Sequence, residues 1–83
     1  MQILENIEKV LLTEIAGDSG KKSINPDEDL LEQRFVDSLG LMKLILHIEN
    51  TFGIKVEDED IIPENFQSLN SMATFVSKKI QNK

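Results

Sequence analysis

Cysteine is absent from the 83 residues, so neither a disulfide framework nor a thiolate metal site can form. That is compatible with a reducing compartment. No apolar run approaches the roughly 18 residues that a membrane-spanning helix needs. The first residues, Met1-Gln2-Ile3-Leu4-Glu5, lack the basic region and small-residue cleavage site of a signal peptide, so a cytoplasmic location is expected. Phosphate-binding and dinucleotide fingerprints are missing, as is any metal-ligand cluster. No β-type alternation of apolar and polar residues occurs, which leaves helices as the regular elements.

Basic residues are scarce where acids are dense. Residues 27–64 hold eleven acids against three bases (Arg34, Lys43, Lys55), a local charge of −8 within a net −6. Such a middle would be repelled by the phosphates of a nucleic acid. It suits protein partners with basic surfaces. A chain of this length makes one small domain, expected to span 1–83, and buries only about 60–65% of its unfolded surface. That leaves no room for an elaborate active-site cleft.

Residues 2–16 read as an amphipathic helix with Ile3, Leu4, Ile7, Val10, Leu11 and Ile15 at helical spacing, stopped at Gly17. Residues 17–37 form a long connection with turn chemistry at 17–20 and a break at Asn25-Pro26. Ile24, Leu30, Leu31, Phe35 and Val36 are its expected anchors. Asp27-Glu28-Asp29 is expected to start a helical turn through Glu32; the calcium-loop spacing is absent, so these acids read as a solvated loop. Residues 38–52 form the most apolar helix, closed by Gly53. They carry more apolar side chains than one core-facing stripe needs, so some of Leu39, Leu41, Met42 and Leu46 should be exposed. Residues 57–62 read as one short helix stopped by Pro63. Residues 68–81 form the last helix, with Ser68 as its N-cap.

The chain is organised around Val36-Asp37-Ser38-Leu39-Gly40, at the mouth of the 38–52 helix. The first amides of a helix lack internal partners, and the helix dipole leaves positive charge there, a natural seat for phosphate. Ser38 is therefore a candidate attachment point for a phosphate-linked arm. Serine and aspartate are also the commonest N-caps, and Asp37 or Ser38 capping the helix would account for the pair without any function. Catalysis within the chain is excluded on geometry. His47, the single histidine, lies nine positions after Ser38, which on a helix is about 13–14 Å along the axis and about 180° around it. The two cannot share a proton, so no Ser–His–Asp site forms. His47 is expected as a partly exposed surface residue near Lys43. The chain is not expected to be an enzyme.

With these residues in order, the sequence resembles the acyl carrier protein family, including the peptidyl carrier domains. Asp37-Ser38-Leu39 matches the family's Asp-Ser-Leu modification motif. Leu44, Ile48, Glu49 and Phe52, the run 53–59, and Pro63-Glu64-Asn65-Phe66 with Ser68-Leu69 extend the likeness over essentially the whole chain. The resemblance implies an all-α four-helix bundle with three main helices, a short third helix and a long first loop. It implies that Ser38 Oγ is joined through a phosphodiester to 4′-phosphopantetheine by a partner transferase using coenzyme A and magnesium. The arm's thiol then carries an acyl or aminoacyl group as a thioester, supplying the sulfur that the chain lacks. By the same resemblance Asp37 assists the transferase and Leu39 packs against the partner. Leu44, Ile45, Ile61 and Phe66 are expected to line a groove for the cargo. Partner recognition is assigned to Gly40, Leu41, Met42, Lys43, Leu46, Glu59 and Asp60.

One departure stands out. Carriers of general fatty-acid synthesis usually show acids just after the serine and one turn on, where this chain has Gly40, Leu41 and Lys43. A face of that kind should meet basic docking sites poorly. The expectation is a monomeric carrier for a specialised fatty-acid-like or polyketide-like pathway, visited by a phosphopantetheinyl transferase, a loading ligase and synthase or transferase enzymes. The alternatives are an aminoacyl or peptidyl carrier loaded by an adenylating enzyme, and an acidic helical adaptor in which Ser38 is only a cap.

Overall fold

The computed structural model describes residues 2–15, 24–32 and 36–82. Four α-helices follow in order, α1 Gln2–Val10, α2 Ser38–Phe52, α3 Pro63–Phe66 and α4 Leu69–Gln81, and no strand occurs among the described residues. This is the small all-α arrangement of three main helices and a short third one that the periodicity predicts.

In α1, Ile7 and Val10 turn inward, as does Leu11 just beyond its end, while Glu5 and Lys9 stay in water. The expected single helix over 2–16 is α-helical only to Val10; Leu11–Ile15 continues as a π-helix. Thr13 Oγ1 donates to the Lys9 carbonyl at 2.8 Å. A side-chain donor on that oxygen competes with the ordinary backbone register and accompanies the wider turn. Gly17, the turn at 17–20 and the anchor Phe35 lie outside the described residues.

The connecting segment is held to the body by its backbone. Ile24 N donates to Glu8 Oε2 on α1 at 2.9 Å, and Leu30 N donates to the Gln67 carbonyl at 2.6 Å. Asn70 at the start of α4 donates its amide to the Pro26 carbonyl and its Nδ2 to Asp27 Oδ1. Ile24, Leu30 and Val36 are buried as expected, and Leu31 is half-buried. The helical turn expected over 27–32 does not form. Asp27 N is taken by Asn25 Oδ1 and Glu32 N by Asp29 Oδ1, so short polar side chains bend the backbone into turns instead.

α2 ends at Gly53, whose φ of 64° and ψ of 35° lie in the left-handed region, with its N–H donating to the Glu49 carbonyl at 3.0 Å. Only glycine adopts that conformation without a Cβ penalty. The single short helix expected over 57–62 is corrected to two pieces. Asp58–Asp60 is one 3₁₀ turn, with Glu57 N donating to Asp60 Oδ2 at 3.0 Å. Pro63 opens α3 rather than ending what precedes it, because proline's missing N–H costs nothing in a first helical turn. Ser68 caps α4, its Oγ accepting from Ser71 N.

The core draws on every helix: Ile7 and Leu11, Leu44 and Ile48, Phe66, and Leu69, Met72 and Val76, with Leu30 from the connection. Phe66 and Phe75 meet in a tilted pair with ring centres 5.3 Å apart. Such contacts add about 0.5–1.5 kcal/mol beyond the area they bury.

Candidate functional site

Asp37 precedes α2 in extended conformation (φ −91°, ψ −175°), and its Oδ1 accepts from Gly40 N at 2.7 Å. Its carbonyl accepts from Leu41 N at 2.8 Å. Asp37, not Ser38, therefore makes the cap. Ser38 becomes the first residue of the helix, exposed, and no hydrogen bond engages its hydroxyl among the described residues. The first turn of α2 contains no acid. A hydroxyl in this setting, beside amides that have no intrahelical partner, fits a phosphodiester on both charge and access.

The remaining candidates sort by position around α2. Leu39, Met42, Lys43 and Leu46 are exposed. Leu41 is half-buried and packs against the core. Gly40 is buried, with its amide committed to Asp37, so it shapes the cap rather than offering a contact surface. Glu59 is exposed on the separate 3₁₀ turn. Asp60 is half-buried and already paired: Lys79 Nζ lies 2.7 Å from its Oδ2 and 5.8 Å from the centre of the Phe75 ring. The Lys79 ammonium, followed by the hydrogen bond from the Glu57 backbone, holds the Asp60 carboxyl below its ordinary value. Lys79 lies in the last turn of α4, where a cation suits the helix end, and nothing local to α4 marks Asp60 as its partner.

Leu44, Ile45 and Phe66, expected as groove lining, are buried core side chains, while Ile61 lies at the surface. His47 is half-buried, in keeping with the partly exposed position expected of it, and is held by polar contacts, with Nε2 2.8 Å from Asn6 Oδ1 on α1 and Thr51 Oγ1 beside the ring. A groove of about 310 Å³ next to it is lined by Val10, Glu14, Lys43, Leu46 and His47. Among the described residues no cluster of His, Cys, Asp or Glu could hold a metal ion, and no helix is long and apolar enough to cross a membrane.

The family described as the phosphopantetheine attachment site matches residues 9–76. The acyl carrier protein of Solidesulfovibrio magneticus is 28% identical over 79 residues, covering 95% of this chain and 96% of that protein. An acyl carrier protein of Rickettsia bellii is 37% identical over 62 residues, 72% of each chain. A D-alanyl carrier protein of Streptococcus uberis is 39% identical over 56 residues, 68% of this chain and 70% of its own. With most of its length matched by the attachment-site family and by these relatives, the chain belongs to the acyl carrier protein family, non-enzymatic proteins that bear a covalent 4′-phosphopantetheine group and meet the transferases and synthases that load and use it.

Proposed function

We propose that Ser38 is the residue to which the 4′-phosphopantetheine arm is joined, and that the chain carries acyl intermediates as thioesters for a specialised fatty-acid-like or polyketide-like pathway. The observation that carries this reading is the division of labour at the head of α2. Asp37 supplies the cap, which leaves the Ser38 hydroxyl exposed and unengaged. Residues 1–83 act as one carrier domain, monomeric and cytoplasmic, since a carrier must visit several enzymes in turn. Asp37 assists the transferase and its metal, and Leu39 packs against the docked enzyme. Leu41, Met42, Lys43 and Leu46 contribute to partner choice, with Gly40 acting through the cap. Glu59 and Asp60 form a second, acidic edge.

The test is incubation with a phosphopantetheinyl transferase and coenzyme A, read by intact mass. Wild type gains one arm and Ser38→Ala gains none. A folded wild type that stays unmodified by several transferases returns the chain to the adaptor reading, and an arm on Ser38→Ala moves the attachment elsewhere.

A second reading, that the cargo is an aminoacyl group installed by an adenylating ligase, draws support from the likeness to the D-alanyl carrier protein. Supplying the armed chain with ATP and a ligase specific for either an amino acid or a fatty acid separates the two by the mass of the thioester formed.

A further inference from the structure

The side chains that the resemblance assigns to the cargo are taken up in the core. Leu44 and Phe66 are 0% and 1% exposed, Ile45 is buried with them, and the Phe66 ring is held against Phe75. Seating a cargo there means parting packed side chains, and interiors as dense as organic crystals resist that. A ready-made recess lies on the other flank of α2. It is the groove of about 310 Å³ between α2 and the π-helix, a volume at the lower limit of ligand clefts.

Val10 and Leu46 give this groove its apolar lining, with Lys43 and His47 on the α2 side and Glu14 on the π-helix. Hydrogen bonds in a π turn span five residues instead of four, so Glu14 is swung to a different side from an α continuation, while Leu11 stays in the core. Asn6 and Thr51 fix the His47 ring, which therefore acts as a wall. Glu14 and Lys43 carry opposite charge, yet neither forms an ion pair among the described residues. Ser38 is within reach. Lys43 and Leu46 follow it by five and eight positions, about 7.5 Å and 12 Å along the axis and about 140° and 80° around it. On a helix about 10–12 Å across, each is a surface path of about 14–15 Å. The roughly thirteen bonds from phosphorus to sulfur in the arm span about 15 Å when extended.

We propose that this groove seats the cargo of the arm, and that it takes a short acyl group with a hydrogen-bond donor close to the thioester carbonyl. The proposal deepens, and rests on, the reading of Ser38 as the attachment residue. The thioester carbonyl accepts from the Lys43 ammonium. The donor, a hydroxyl in a hydroxyacyl group or an ammonium in an aminoacyl group, meets the Glu14 carboxylate, and the carbon body lies against Val10 and Leu46. A plain acyl group offers the carbonyl alone and leaves Glu14 without a partner, so it gains less by leaving water. Bonds to exposed charges are individually weak. The tether offsets this by holding the cargo at an effective concentration on the order of millimolar.

The experiment loads the ¹⁵N-labelled chain, by way of a phosphopantetheinyl transferase, from coenzyme A bearing a propanoyl, 2-hydroxypropanoyl or 2-aminopropanoyl group. The three cargoes differ only in the substituent beside the carbonyl, and intact mass establishes each load. Amide shifts are compared with those of the chain bearing the arm alone, in mildly acidic buffer where thioesters persist. The hydroxyl and ammonium cargoes should move the amides of Val10, Glu14, Lys43, Leu46 and His47, and propanoyl should move them less. The donor cargo with the larger shifts tells a hydroxyacyl from an aminoacyl preference. Glu14→Ala should abolish the difference between cargoes, whereas Glu32→Ala, which removes the same charge from an exposed site elsewhere, should keep it. Lys43→Ala should shrink the shifts of all three cargoes and serves as the second variant. Circular dichroism establishes that each variant is folded.

Equal shifts for the three cargoes in wild type overturn the proposal. So do shifts at Leu44, Ile61 and Phe66 in place of the groove, which put the cargo in the core, and so does the absence of any shift, which leaves it in water. In each case the arm is still attached, so the carrier reading survives. Absence of any mass gain in wild type removes that reading, and the role of the groove with it.

Discussion

At the scale of single residues, Asp37 and Ser38 illustrate how one pair can serve stability and function through different atoms. The Asp37 carboxylate closes the helix end at 2.7 Å from Gly40 N, which leaves the serine oxygen free of structural duty. Either residue could have been the cap on composition alone, because both side chains favour that position. The backbone decides, since Asp37 is extended while Ser38 is already helical. Replacing Asp37 by Ala should lower stability by about 1 kcal/mol. For a domain of this size that is roughly 4–8 °C in the thermal midpoint. Asp37→Asn should keep most of that stability, because asparagine caps as well as aspartate. If the carboxylate also assists the transferase, Asp37→Asn will slow arm transfer while melting like wild type.

At the scale of elements, α2 is where the apolar pattern of the sequence is densest and least decisive. Eight of its side chains are large and apolar, and the sequence narrows the exposed ones to some of Leu39, Leu41, Met42 and Leu46 without deciding among them. Packing against α1 and α4 selects Leu44, Ile45 and Ile48 for the core and leaves Leu39, Met42 and Leu46 outside. Truncation reads that choice directly. Leu44→Ala should cost about 2–5 kcal/mol through lost burial and the cavity it leaves. Leu46→Ala should stay within about 0.5 kcal/mol, as exposed substitutions do. Chemical denaturation of the two variants compares them. Equal losses would mean that Leu46 is buried in solution and that the outward face is not as described. The reading of 57–62 as one short helix stopped by Pro63 fails for a related reason. Pro63 is equally at home just after a helix and in its first turn, and the sequence around it favours neither.

Across the whole molecule, elements far apart in the chain are tied by a few polar contacts. Lys79 on α4 holds Asp60 on the 3₁₀ turn, with the Phe75 ring close to the ammonium. Since the pair lowers the Asp60 pKa in the folded state, its stabilisation is fully present above the ordinary carboxylate value near 3.8 and is lost as pH falls through the lower folded value. Asp60→Asn should therefore reduce stability at pH 7, by up to about 1 kcal/mol for a pair at the surface. Its stability gap from wild type should hold constant down to about pH 4 and then close. Unfolding free energies measured from pH 7 to pH 2 give the comparison, and a gap that persists at the acid end would mean that packing, rather than charge, holds the turn.

Properties set within a turn or two of helix were legible from the amino acids alone. The periodicity of α1, α2 and α4, the Ser68 cap, the glycine stop at 53 and the serine at the mouth of α2 all depend on neighbours no more than about four residues apart. The lack of thiols and of a histidine within reach of Ser38 is likewise a matter of composition and helix rise. Tertiary structure alone decided which of Leu39, Leu41, Met42 and Leu46 face outward, which side chain binds Asp60, and that His47 meets Asn6 from 41 positions away. Those outcomes depend on which surfaces are brought together once the helices pack, and burial against a distant partner leaves no periodic trace in the residues themselves.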